Sequence, residues 1–181
     1  MGNEIAGNYI PGSGAYPTYD EAAAAAGRAV TDATGASGDK TEAGTVVYLG
    51  SDGYRFLPPV DGVDGHVTEE QIAGMVEQAN QLGEPEGLIH SHNDPAENGS
   101  ILSPWDYKEG DEYGLKVEMY SRDTQTGAYC TSSWDPASGT GQGSCVDDGV
   151  DAISGDMPTE EIDEDFVNSL PLDSSYIPSG S

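Results

Sequence analysis

Gly87-Leu88-Ile89-His90-Ser91-His92, followed after a polar loop by Ser103-Pro104-Trp105-Asp106, decides how the rest of the chain is read. Gly87-Leu88-Ile89 reads as a short apolar strand running directly into two histidines. On a strand, residues i and i+2 point to one face, so His90 and His92 project together, within reach of one ion. Ser103 is a good helix N-cap, Pro104 a good first residue and Asp106 an acid in the first turn. Ser103 and Asp106 lie one helical turn apart and share a direction.

Working outward, Thr18 and Glu21 have the form of a capping box, and five alanines at 22–26 favour a helix over 18–33, stopped by Gly35 and Gly38. Its thin alanine face suits packing on a sheet. The β-branched run at 43–49, the turn Ser51-Asp52-Gly53 and the return at 54–57 predict a hairpin, ended by Pro58-Pro59. A second capping box, Thr68 with Gln71, opens a helix carrying Ile72, Met75 and Val76, with Gly83 as its C′ residue. A further hairpin is predicted at 115–121 and 128–134, with Gly127 in the turn. The order helix, hairpin, helix, strand, helix, hairpin is an α+β pattern. It alternates too little for a doubly wound parallel sheet.

The chain has 181 residues, with 33 acidic and six basic ones, for a formal charge of −27. Such a surface repels phosphate, which excludes most nucleic-acid binding and anionic membranes. The acids are spread along the chain and Lys is scarce, which favours a salt-adapted, solvated surface over a docking site for cations or a basic partner. No apolar run approaches a membrane span and no secretory signal is visible, so the compartment stays open, with toxin-type delivery by a non-classical route as one reading. Residues 1–14 read as an irregular lead-in, 15–146 as the domain and 147–181 as an acidic, mostly disordered tail in which DEDFVNSL can dock.

A catalytic zinc uses three protein ligands and leaves a fourth position for water. His90, His92 and Asp106 are the candidate metal ligands. Glu42, immediately before the first predicted strand, is the candidate general base. An upstream Glu, then H-x-H, then Ser with Asp three residues on, resembles the JAMM (JAB or MPN) metallopeptidases over roughly residues 18–121. The detail is similar to a bacterial branch often found at the C-terminus of Rhs-type polymorphic toxins. That branch shares the Ala-rich helix, a GDKTE-x-G entry, a YRF-x-PPV-x-G hairpin and a GLIHSH…SPWD site. Asn93 replaces the proline usual after the second His, and the loop to Ser103 is longer than usual.

The resemblance implies a JAMM-like, cytidine-deaminase-like mixed sheet flanked by helices. It implies that His90, His92 and Asp106 bind Zn2+, that Glu42 accepts a proton from the metal-bound water, and that Ser103 donates to the oxyanion. The reaction would be amide hydrolysis of a protein or peptide substrate, often an isopeptide bond. A toxin effector would in addition meet an immunity protein or carrier. The alternative is an inactive JAMM-like protein-interaction module. The H-x-E and P-C-x-x-C of zinc deaminases are absent. Plainer roles remain open beside these: a helix first-turn acid for Asp106, a simple N-cap for Ser103. His66 is assigned no role and Trp105 a packing one. Cys130 and Cys145 can close a disulfide across the intervening loop or remain two buried thiols.

Overall fold

The computed structural model describes residues 15–37, 41–92, 102, 104–122, 128–147 and 160–163. Among these, the chain runs α1 (Tyr19–Ser37), β1 (Ala43–Gly50), β2 (Gly53–Phe56), β3 (Val60–Asp61), α2 (Glu69–Leu82), β4 (Glu84–His92), α3 (Pro104–Tyr113), β5 (Lys116–Arg122), β6 (Ala128–Asp135), β7 (Thr140–Asp147) and β8 (Glu160–Asp163). One mixed sheet takes the order β2-β1-β4-β5-β6-β7-β8, with β3 also on β1. The architecture is α+β, a sheet flanked by helices. All pairings are antiparallel except β4 with β5, which α3 connects as a crossover.

The two faces have different cores. On one, Ala22, Ala23, Ala26 and Val30 of α1 lie against Val47, Phe56 and Ile89. Alanine lets the helix approach closely, as its composition predicts. Gly27 shortens the gap further, since a Cβ there would lie 2.4 Å from the Tyr120 ring. Beside it, the half-buried Glu118 carboxylate accepts from the Tyr19 and Tyr120 hydroxyls at 2.5 and 3.2 Å. On the other face, Ile72, Met75 and Ala79 of α2 and Tyr107 of α3 cover Val46, Leu88, Val117, Met119 and Trp134. Tyr107 meets Trp134 edge-on at 5.7 Å, and Trp134 Nε1 donates to Asp111 Oδ1 at 3.0 Å. These contacts fix α3 on the sheet.

The Thr68–Gln71 capping box forms in full, with Thr68 N donating to Gln71 Oε1 at 3.0 Å, while Thr18 caps α1 through its side chain and also donates its hydroxyl to Glu21 Oε2 at 3.0 Å. Glu21 N donates to Thr18 Oγ1 at 3.2 Å, and Gln71 N to Thr68 Oγ1 at 3.2 Å. Five readings of the sequence need correction. α1 continues past Gly35 to Ser37. β4 is nine residues long and begins at Glu84, ahead of the expected Gly87, and its end carries both histidines as the alternation argument required. Gly83 is not a left-handed C′ residue, for its φ is 172°. It is required because a Cβ would lie 2.2 Å from Leu49 O. Finally, the stretch between Cys130 and Cys145 is a hairpin, not a loop. Asp135 Oδ1 accepts from Ala137 N at 2.9 Å, Gly139 takes φ 68°, and β7 returns along β6. The Gly-, Ser- and Gln-rich TGQGS carries too few apolar residues to show as a strand. The hairpin places Cys130 and Cys145 in register with each other. β8 arises from the acidic stretch after Asp147, where no strand was expected.

The two glycines of α2 and its exit test this packing. Gly83→Ala should destabilise by about 1–3 kcal/mol, because rigid backbone occupies the space. Exposed Gly74, with nothing within 4 Å of its Cβ position, should gain about 0.5–1 kcal/mol as alanine. Urea denaturation distinguishes them; equal effects would contradict the described α2–β1 approach.

Candidate metal centre

β4 and β5 are parallel, and the chain leaves the carboxyl end of β4 to enter α3. β1 runs antiparallel to β4, with Gly44 opposite His90. Continuing that register by two residues puts Glu42 opposite His92. The start of one strand, the end of another and the first turn of α3 therefore meet at one end of the sheet's central strands, from three distant parts of the sequence.

His90 Nε2 lies 3.2 Å from His92 Nε2 and 3.1 Å from Asp106 Oδ1. His92 Nε2 lies 3.7 Å from Asp106 Oδ2 and 3.7 Å from Glu42 Oε1. His90, His92, Asp106 and Glu42 are all buried. The three expected ligands offer atoms within 4.8 Å of one another, a group that could hold a metal ion. Two atoms bound to one tetrahedral zinc at 2.0–2.1 Å sit about 3.3 Å apart. The 3.2 and 3.1 Å separations match that edge and the third, 3.7 Å, is longer, so the group could hold a metal ion of this kind once His92 and Asp106 draw slightly together.

Glu42 is held as well as placed. A tight turn with Asp64 at φ 54° and Gly65 at φ 96° brings Gly65 O to Glu42 N at 3.3 Å, while Glu42 O accepts from Gly62 N at 2.7 Å. Val67 N donates to Glu42 Oε2 at 3.4 Å, leaving Oε1 turned toward His92. Ser103 lies outside the described residues.

Two further residues belong to the site and were not singled out in the sequence. Ser91 points to the opposite face of β4, where its Oγ pairs with Thr34 Oγ1 and accepts from Ala43 N at 2.9 Å. It ties the residue after Glu42 to the strand between the two histidines. The middle position of H-x-H was the available signal, since the alternation of a strand sends it to the other face. Glu109 follows Asp106 by three residues, so α3 presents both on one side. Burial, reinforced by Asp106, pushes the Glu109 carboxyl up to about 8, against the pull of His90. Burial also opposes charging of His90, but Asp106, Glu42 and Glu109 outweigh it and lift the imidazole to about 9.

No protein-family model matches this chain, and searches against curated proteins and solved structures return no match.

Proton linkage gives a pH prediction for the metal-free protein. The fold retains protons that the unfolded chain releases, on Glu109 between 4.5 and about 8 and on His90 between 6.5 and about 9. More protons bound in the native state means stability falls as pH rises through these windows. An ion must displace the His90 proton, so its apparent affinity should climb toward pH 9 by about tenfold per pH unit for each proton released. Competition against a chromophoric chelator from pH 6.5 to 9 measures this; an affinity independent of pH would contradict the assignment.

Proposed function

We propose that this domain is a zinc-dependent hydrolase of amide bonds, JAMM-like in build, acting on a protein or peptide. The observation that carries the proposal is the convergence of His90 Nε2, His92 Nε2 and Asp106 Oδ1, with the Glu42 carboxylate beside them. Two imidazoles and one carboxylate, with no thiolate, form the donor set of a catalytic rather than a structural zinc. Three protein ligands leave room for water and substrate.

A zinc ion held by His90, His92 and Asp106 would supply Lewis acidity, lowering the pKa of water to about 7 and polarising a carbonyl. The chain's own residues do the rest. His90 and His92 bind through Nε2, and Asp106 through a carboxylate oxygen carried on α3. Glu42 Oε1 accepts the proton of the attacking water and returns it to the leaving amine. The amide of Val67 keeps Oε2 occupied and so directs Oε1 at the reacting atoms. Burial of these groups strengthens each electrostatic contact relative to bulk water. The resemblance assigns Ser103 the hydrogen bond to the oxyanion. It also supports a toxin effector acting inside a target cell, with an immunity protein or carrier as partner.

Metal analysis after purification without chelator should find about one zinc per chain, lost in His90→Ala/His92→Ala. Glu42→Gln should retain the zinc and lose about 10²-fold or more in peptide or isopeptide hydrolysis. No bound zinc even after refilling would overturn the proposal and leave an interaction module on the same scaffold, and full activity in Glu42→Gln would overturn the assignment of Glu42 as the base.

A further inference from the structure

We infer that Ser121 is a positioning residue for the metal centre: its Oγ accepts the ring N–H of His92 and so fixes which imidazole nitrogen faces the ion. The inference rests on the proposed metal site.

β5 pairs in parallel with β4, and Ser121 is the register partner of His92, just as Met119 is of His90. Paired residues on neighbouring strands share a face, so Ser121 lies on the ligand side of the sheet. It is 0 % exposed, and its Oγ has no hydrogen-bond partner among the described residues. That burial removes it from contact with substrate. A hydroxyl buried without a partner is less favourable than the methyl of alanine, so a serine here calls for a polar neighbour.

His92 is that neighbour. Its Nε2 faces His90, Asp106 and Glu42. The other ring nitrogen, Nδ1, is itself buried. Adjacent strands lie about 4.8 Å apart, so the register sets the Ser121 side chain beside the His92 ring on the same face of the sheet. A histidine that binds a metal through one nitrogen characteristically donates from the other, and that second bond holds the tautomer and the ring plane. Ser91, between the ligands, cannot serve, because it points to the opposite face and pairs with Thr34. Ser121 is the residue that the register supplies.

Ser121→Thr and Ser121→Val add the same bulk and differ only in the hydroxyl. Zinc affinity, read by chelator competition, should be about 10- to 100-fold weaker in the Val variant than in the Thr variant. The metal-free melting temperatures of the two should agree. Equal affinities would overturn the inference. Should neither fold, Ser121→Ala replaces them, and an affinity equal to that of the parent overturns it in the same way. A second readout needs no metal: the two-bond 1H–15N spectrum of the histidine rings. The His92 Nδ1–H signal should shift in Ser121→Ala, and an unchanged signal would contradict the contact. If the parent binds no zinc, the metal proposal fails, and this spectrum still decides whether Ser121 holds the ring.

Discussion

The antiparallel pairing of β1 with β4, with Gly44 opposite His90, is the constraint on which the site depends. It lies inside the sheet, between the two cores, and a shift by one residue would send every side chain of one strand to the wrong face. With this register, the residue preceding β1 meets the last residue of β4. Ser91 reinforces it from the far side through Ala43, and the turn at Asp64-Gly65 reinforces it from the near side through the backbone of Glu42. The three candidate ligands therefore owe their convergence to sheet register and to the crossover in which α3 packs over β5 and β6, rather than to any local loop.

That convergence has an electrostatic consequence. Two imidazoles and two carboxylates stand within contact of one another in a buried pocket, with a third carboxyl, Glu109, on the next turn of α3. Without a cation the group compensates by holding protons, on His90 up to about pH 9 and on Glu109 up to about pH 8. A divalent ion would replace them. Buried acids so close together are unfavourable as structure alone, since each loses hydration and repels the others. The same arrangement suits a group of residues built to receive positive charge.

Much of this was legible in the sequence, for identifiable reasons. The helices announced themselves through Thr18-Glu21 and Thr68-Gln71, whose capping geometry is local. The ligand pair was legible because alternation along a strand is a two-residue rule. Glu42 was harder, as one acid among 33; its place before a β-branched run was the only independent signal. What stayed hidden was non-local. β7 has a polar composition and becomes a strand through pairing with β6. Gly83 is dictated by the approach of Leu49. Ser91, Glu109 and Ser121 acquire meaning only when register and helix position are known.

X-ray absorption at the zinc edge of the refilled protein tests the central claim most directly. Two imidazoles and a carboxylate predict a four-coordinate shell of N and O at about 2.0–2.1 Å, with multiple scattering from two rings and no sulfur. A shell containing sulfur at about 2.3 Å, or one without imidazole scattering, would contradict it.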